Sequence, residues 1–248
     1  MPRIAVATMS LARSPEEEDL LHGSLEYLSA KGLPVVVADG GSEEGFGDRL
    51  RTLPHLTVVG RQTDGAPRLV GQVQASLAEA ARIDSDWILY TEPDKRWFFE
   101  HRMDDFLTSV EGAGSASVVV ASRDAASFAT FPRGQQLAET LLNTLCAETF
   151  GVDGDFTYGP LLIRPELLPA VLALRQDLGW GWRIFLMAVA HRMGQPVALH
   201  SADLPCPEEQ RGEDDVASRI YRMEQLAQNV RGLALGLKTA LDEGAASP

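Results

Sequence analysis

The 248-residue chain is short of positive charge: 22 Lys and Arg stand against 35 Asp and Glu, a formal net charge of −13. A general nucleic-acid binder needs a basic surface to displace counterions, so that class is excluded, as is attachment to an anionic membrane surface. An anionic ligand would need a local cation, from a metal or a few arginines. Cysteine is almost absent. Cys146 and Cys206 lie far apart without a zinc spacing, which excludes a disulfide framework and points to a reducing compartment. No apolar run approaches the roughly 20 residues of a membrane span. The opening residues Met1 to Ser10 are too short and too early broken for a signal peptide, so a cytoplasmic protein is expected. The five histidines show no pairing at helical ligand spacing and read as surface or core residues.

What is present is an ordinary globular composition, 45% hydrophobic and 23% charged, in a length that suits one large α/β domain or two small ones. Ile4-Ala5-Val6-Ala7 is a plausible first strand. Ser14-Pro15-Glu16-Glu17 opens a helix, with Ser14 as cap, Pro15 in the first turn and Glu17 completing a capping box. Leu21, Leu25 and Leu28 face inward, Gly32 ends the helix, and Val35 to Ala38 forms a second strand apolar enough to be covered on both faces. The β-α-β order implies a right-handed crossover and a parallel pair. Asp39-Gly40-Gly41-Ser42-Glu43-Glu44-Gly45 follows. It is neither G-x-G-x-x-G nor a P-loop, and it reads either as a generic turn or as one where Asp39 accepts hydrogen bonds from a ligand.

A short helix then carries Phe46, Leu50 and Leu53, and Leu56 to Val59 makes a third strand. After a loop with Arg61 and Arg68, a helix presents Leu69, Val73, Leu77 and Ala81 as one stripe. Trp87-Ile88-Leu89-Tyr90 is a buried strand that runs into Thr91-Glu92-Pro93-Asp94. Ligands gather at the carboxyl ends of strands in open α/β sheets, and two acids on a rigid turn there suit Mg²⁺ or Mn²⁺. The plain alternative is a polar turn, with Glu92 and Asp94 hydrated or paired with Lys95 and Arg96.

Further on, the pattern predicts a helix over Asp104 to Val110, a strand over Ser117 to Ala121, and a polar irregular stretch from Arg123 to Arg133. From Gly134 a helix follows with Leu137, Leu141 and Leu145 inward, then an extended Tyr158 to Arg164 and a helix from Pro165 interrupted near Pro169. Leu178-Gly179-Trp180-Gly181-Trp182-Arg183 places two indoles beside a glycine; they either cap the core or offer a flat platform to a sugar ring. A last strand spans Gln195 to His200. A long helix from Glu213 to Leu241 docks through Val216, Ile220, Met223, Leu226, Val230, Leu233 and Leu237, with Gly232 and Gly236 allowing close packing. The expected organisation is one domain over 1–241, with a first half (1–100), a second half (101–211) and a docking helix (212–241). Residues 242–248 are expected to be disordered.

Taken in order, these segments resemble a GT-A type glycosyltransferase, the Rossmann-like nucleotide-diphospho-sugar fold: α/β, with a mostly parallel sheet and helices on both faces. Asp39-Gly-Gly-Ser42 resembles the family's Asp-x-x-Ser, which implies contact of Asp39 with the nucleotide base or ribose. Glu92-Pro-Asp94 lies where the family carries Asp-x-Asp, which implies that Asp94 binds the metal bridging the diphosphate, with Glu92 in place of the first Asp. Arg68 falls near the position of a basic residue used at the phosphates. The second half is similar to the retaining branch that contains glucosyl-3-phosphoglycerate synthase and mannosylglycerate synthase. There Gly134 would open the acceptor-side helix, Gly159 to Arg164 would return to the sugar site, and Gly179 to Arg183 would match a Gly-Tyr-Gly stretch including Trp180 and Trp182. The resemblance thus implies a nucleotide-binding half over 1–100 and an acceptor-side half over 101–211.

Two departures stand out. The loop Pro205 to Arg211 has no metal-completing His, so either Glu208, Glu209 or His200 substitutes or the metal site is weak, and Trp182-Arg183 replaces the acid after Gly-x-Gly. The resemblance implies transfer from a UDP- or GDP-sugar to a small-molecule or lipid acceptor, with Mg²⁺ or Mn²⁺ and a homodimer allowed. The alternatives are a sugar-nucleotide-binding regulatory protein without turnover, or a nucleotidyltransferase. The latter is disfavoured because Ala7 to Arg13 lacks that class's glycine-rich loop.

Overall fold

The computed structural model describes residues 2–42, 45–60, 68–208, 211 and 215–239, and of Arg68 the backbone alone. Arg61, Glu209, the start and end assigned to the last helix (213–214, 240–241), the Glu43-Glu44 part of the turn, and the 242–248 tail lie outside the described residues.

Among the described residues seven strands form one sheet: β1 (Ile4–Ser10), β2 (Val35–Asp39), β3 (Leu56–Gly60), β4 (Trp87–Tyr90), β5 (Val118–Arg123), β6 (Leu161–Ile163) and β7 (Val197–Ala202). Their order is β3-β2-β1-β4-β6-β5-β7, parallel throughout except for β6, which runs antiparallel to both neighbours. The expected fold class therefore holds. The order reverses between β1 and β4, so the first βαβ series winds away to one side and the chain then crosses back. A crevice opens outside the carboxyl ends of the strands at such a switch point. Ser10 pairs with Asp39 in register, and Ala7 with Tyr90, so the ends of β1, β2 and β4 arrive at the same edge.

Alternation along the strands fills a core on each face. Ala7, Val36, Ile88 and Tyr90 belong to the cluster under α3 (Arg68–Ala80), α8 (Leu168–Leu172) and α9 (Trp182–Arg192). Val6, Val35, Val37 and Leu89 belong to the cluster under α1 (Pro15–Ser29), α2 (Phe46–Arg51), α4 (Arg96–His101) and α5 (Met103–Thr108). Ser14 caps α1 by accepting from the Glu17 amide at 3.2 Å, while Glu17 reaches back to the Arg13 amide at 2.7 Å. The capping box is thus closed one residue earlier than the sequence pattern implies.

Several expectations change. The stretch after β5 is not wholly irregular: Asp124 caps the four-residue α6 (Ala125–Phe128), accepting from the Ser127 amide. Ala81 lies beyond α3 and is exposed, and Ala80 takes the inward position. On α7 (Arg133–Phe150) the leucine stripe points outward, with Leu137 at 54%, Leu141 at 60% and Leu145 at 44% exposure. The inward face carries Gln135, Leu142 and Cys146, because Gln135, Glu139 and Asn143 bond into a buried polar cluster. At about 100° per residue, a position two away from Gln135 stands on the opposite side of the helix.

The helix α10 (Val216–Lys238) docks chiefly through its second half. Val216, Ile220, Met223 and Val230 are exposed, whereas Leu226, Leu233 and Leu237 pack on the core as expected, joined by Asn229, Gly232 and Gly236. The close approach expected of the glycines is real. A Cβ on Gly232 would stand 2.0 Å from the Gly181 carbonyl oxygen, and one on Gly236 would stand 2.6 Å from Ala188 Cβ.

Candidate functional site

At the switch point the loops after β1 and β2 are welded together. Asp39 Oδ1 accepts from the hydroxyls of Ser10 at 2.9 Å and Ser42 at 2.6 Å, and its Oδ2 accepts from the amides of Gly41 and Ser42 at 3.2 and 3.1 Å. Ser42 Oγ in turn accepts from the Ala12 amide at 2.9 Å. Buried Gln72 on α3 donates to the carbonyls of Ser10 and Ala38, and a Cβ on Gly40 would stand 2.7 Å from its Nε2, so a side chain there would displace the carboxamide that ties the two strands. Asp39 therefore organises this edge, and Ser10 faces the cavity beside it.

That cavity, about 820 Å³, runs from Ser10, Arg13 and Glu17 past Glu92 to Lys95 and on to α7, the 179–183 turn and α10. It is large enough for a nucleotide-sized ligand with a second small molecule. In its middle, Arg183 donates to Glu92 Oε1 at 2.6 Å, with both side chains 10% exposed. Glu92 Oε2 has no hydrogen-bond partner among the described residues and lies against Gly159, whose added Cβ would approach it to 2.3 Å; with φ at +134° this position is doubly a glycine site. Behind the pair, the Tyr90 ring meets Trp182 edge-on at 4.6 Å. Burial, reinforced by the charge of Glu92, holds the Tyr90 phenol protonated. Asp94, two residues on from Glu92, is exposed at the cavity wall.

A second charged group supports the α7 side. Arg123 at the end of β5 binds Asp155 at 2.6 Å, Glu139 at 2.6 Å and the Thr157 hydroxyl at 2.7 Å, and its guanidinium lies over the rings of Phe131 and Phe128 at 4.3 and 4.7 Å. Burial alone would raise the Asp155 carboxyl, but the Arg123 charge and its hydrogen bonds outweigh that and hold it below the usual range. Burial likewise opposes the Arg123 charge, and the two carboxylates more than restore it.

The residues singled out in the sequence are distributed as follows. Glu92, Asp94 and Trp180 line the cavity; Gly159 packs on Glu92; Asp39 and Ser42 tie the β1 and β2 loops; Gly134 sits in the first turn of α7 next to cavity-lining Gln135. Arg68 opens α3, with its side chain outside the described residues. Trp182 is fully buried, so of the two indoles only Trp180 reaches the cavity. His200 faces Asp105 at 3.0 Å and packs near Phe106, apart from the cavity lining. Among the described residues no three His, Cys, Asp or Glu side chains are grouped to hold a metal ion.

Sequence reasoning missed Ser10, the Arg123–Asp155 group, and the cavity-lining Tyr221, Arg222, Gln225 and Asn229 of α10. The last four had a signal. They fall at helical spacing on the polar side of a stripe, where a solvated face is the usual interpretation.

No protein-family model and no curated protein matches the sequence. Solved structures do share its architecture. Glucosyl-3-phosphoglycerate synthase of M. tuberculosis is 17% identical, with 98% of this chain and 83% of that one covered at a TM-score of 0.62. The same enzyme in complex with Mn²⁺, UDP-glucose and phosphoglyceric acid aligns at 16% identity, 98% and 82% coverage, and a TM-score of 0.64. Mannosyl-3-phosphoglycerate synthase of Rubrobacter xylanophilus aligns at 16%, covering 98% and 78%, with a TM-score of 0.60. The likeness establishes the GT-A fold over essentially the whole chain. No helix among the described residues is long and apolar enough to cross a membrane.

Proposed function

We propose that the protein is a glycosyltransferase that moves a sugar from a nucleotide-diphosphate sugar to a small-molecule acceptor with retention of configuration. The observation that carries this is one cavity at the β1/β4 switch point that joins the Ser10–Asp39 edge to Asp94. It lies on a fold whose solved neighbours include an enzyme in complex with Mn²⁺ and UDP-glucose. In this reading the nucleotide lies along the β1 and β2 ends and the diphosphate beside Asp94.

The residues present fit a divalent cation in one way. Asp94 offers an exposed hard carboxylate at a strand end, and Mg²⁺ or Mn²⁺ needs only one or two carboxylates when substrate phosphates and waters complete its shell. Glu92 does not fit as a ligand, because Arg183 holds one oxygen and Gly159 covers the other. When bound, the cation neutralises the charge that develops on the departing diphosphate. The chain's own contribution is the positive charge of Lys95 at the same wall, the Arg183 charge being paired with Glu92, and a fixed β1–β2 edge that orients the nucleotide. The acceptor hydroxyl oxygen bonds to the anomeric carbon, the carbon–diphosphate bond breaks with its electron pair going to phosphate, and the hydroxyl proton ends on the departing phosphate oxygen. No dedicated protein base is needed.

Thermal-shift titration with UDP- and GDP-sugars and Mn²⁺ tests the reading. A donor-dependent rise in Tm that Asp94→Ala abolishes supports it; no shift with any donor, or an unchanged shift in the variant, overturns it. A second reading, a sugar-nucleotide-binding protein without turnover, is favoured by the capture of Glu92 by Arg183. Donor binding without transfer or donor hydrolysis selects it. A cytoplasmic location, supported by two free cysteines, and a homodimer, supported by the exposed leucines of α7, belong to the same proposal. Sedimentation reads the latter.

A further inference from the structure

The cavity has two unlike ends. One is the β1–β2 edge already described. The other is walled by the 179–183 turn, α7 and α10, and its central feature is Trp180. This indole is half-buried and held on three sides. Its backbone amide donates to Gln228 Oε1 at 3.0 Å, its Nε1–H donates to the Tyr221 hydroxyl at 3.2 Å, and the Arg183 guanidinium lies over one face of its ring, 5.4 Å from the centroid. The turn beneath it is seated directly on α10: a Cβ on Gly181 would stand 2.0 Å from the Gln228 carbonyl oxygen, so turn and helix are in backbone contact. An aromatic plate fixed in this way has little ordering entropy left to lose when a ring settles on it.

The polar groups around the plate are mostly neutral. Gln225 Nε2 donates to the Tyr221 hydroxyl at 3.1 Å, and Gln135, Thr157 and Asn229 line the same wall. The charged groups already face partners in the chain. Arg183 binds Glu92 at 2.6 Å, Glu139 accepts from Arg123 at 2.6 Å, and Arg222 donates to Gln225 Oε1 at 2.8 Å. A carboxylate or phosphate would compete with the Arg183–Glu92 and Arg123–Glu139 ion pairs, whereas Arg222, bonded to a neutral carboxamide, keeps its charge. Hydroxyl groups both donate and accept, so they add to carboxamides and hydroxyls without displacing an ion pair.

We propose that the α10 end of the cavity is the acceptor subsite and takes a neutral, hydroxyl-rich ring, a saccharide or cyclic polyol, stacked on Trp180 and hydrogen-bonded by Gln225 and its neighbours. The word acceptor rests on the glycosyltransferase reading; the ring-binding site does not. Saturation-transfer NMR on the full chain without donor tests it, with methyl α-D-glucopyranoside, trehalose and myo-inositol as neutral probes and D-glycerate and glucose 6-phosphate as anionic ones. The neutral probes are expected to show saturation at ring C–H protons. Trp180→Ala should cut that signal by roughly tenfold, as loss of the stacking surface predicts, and Gln225→Ala, near the exposed end of α10, should cut it severalfold. Preferential binding of the anionic probes, no neutral signal, or a neutral signal unchanged in Gln225→Ala and in folded Trp180→Ala overturns the proposal. A parallel Tm titration with UDP and Mn²⁺ separates the two failures, since its loss in the unmodified protein sinks the donor reading and leaves the NMR result standing.

Discussion

Arg183 of α9 donates a 2.6 Å hydrogen bond to Glu92, a residue 91 positions earlier in the chain, and the pair joins the turn after β4 to the first turn of α9. Sheet and cavity wall are thereby locked at one point. Removing one member of a buried pair strands the other charge, at about 3–5 kcal/mol, whereas removing both charges is much cheaper. Arg183→Met is therefore expected to lose stability of that order in urea unfolding, and the double change Arg183→Met, Glu92→Gln to recover most of it. Equal losses in the single and double variants would contradict the coupling.

The contact between Gly181 and α10 leaves no room for a methyl group: the added carbon would lie 2.0 Å from the Gln228 carbonyl oxygen. Backbone cannot yield as a flexible side chain does, so Gly181→Ala should cost at least the ~1–3 kcal/mol of core overpacking. Gly47→Ala, on α2, meets only an arginine tip at 3.6 Å and serves as the tolerated control. Thermal denaturation of the two variants side by side checks the contrast, and equal melting temperatures would refute it.

The Asp155 carboxyl titrates below its unfolded value, because Arg123 and its hydrogen bonds overcome the opposing effect of burial. A depressed folded pKa means that its stabilisation is complete above the unfolded value of about 4 and is lost as pH falls through the folded one. Stability is expected to drop with acid below about pH 4, and Asp155→Asn to be less stable at neutral pH yet to show a flatter acid limb. Urea midpoints across a pH series report both slopes; identical limbs would remove Asp155 as the titrating group.

Cys146 lies at the base of the α7 packing face, and burial, with a smaller contribution from the Asp155 charge, pushes its thiol up to about 12. Thiolate is the reactive form, so at neutral pH this sulfur should be inert. In a Cys206→Ser background, reaction with an aromatic disulfide reagent is expected only upon unfolding. Fast labelling of the native protein would show that the α7 face opens.

The strand pattern, the first three crossovers and the turn after Tyr90 were all legible in the sequence, because apolar runs such as Val35–Ala38 and Trp87–Tyr90 can only be buried strands of this length. The α7 leucines misled, since a polar cluster centred on Arg123 claims the inner face, and that demand arises from residues far away in sequence. Arg183 was visible as a departure from the family pattern, but its partner was not. Glu92 beside Asp94 suggests a paired metal turn until the fold delivers the Arg183 guanidinium to Glu92. The α10 contribution was hidden because polar side chains on a helix look the same whether they face water or a cavity.

The backbone contact of Gly181 with α10 also fixes an order of events. All seven strands and the Glu92–Asp94 turn precede residue 216, whereas Tyr221, Arg222, Gln225 and Asn229 follow it. A chain still emerging from the ribosome can complete its sheet while the cavity lacks one wall and Trp180 lacks the hydroxyl that orients it. The site is thus finished by a helix made after the sheet, so ring recognition would switch on only after translation has passed it.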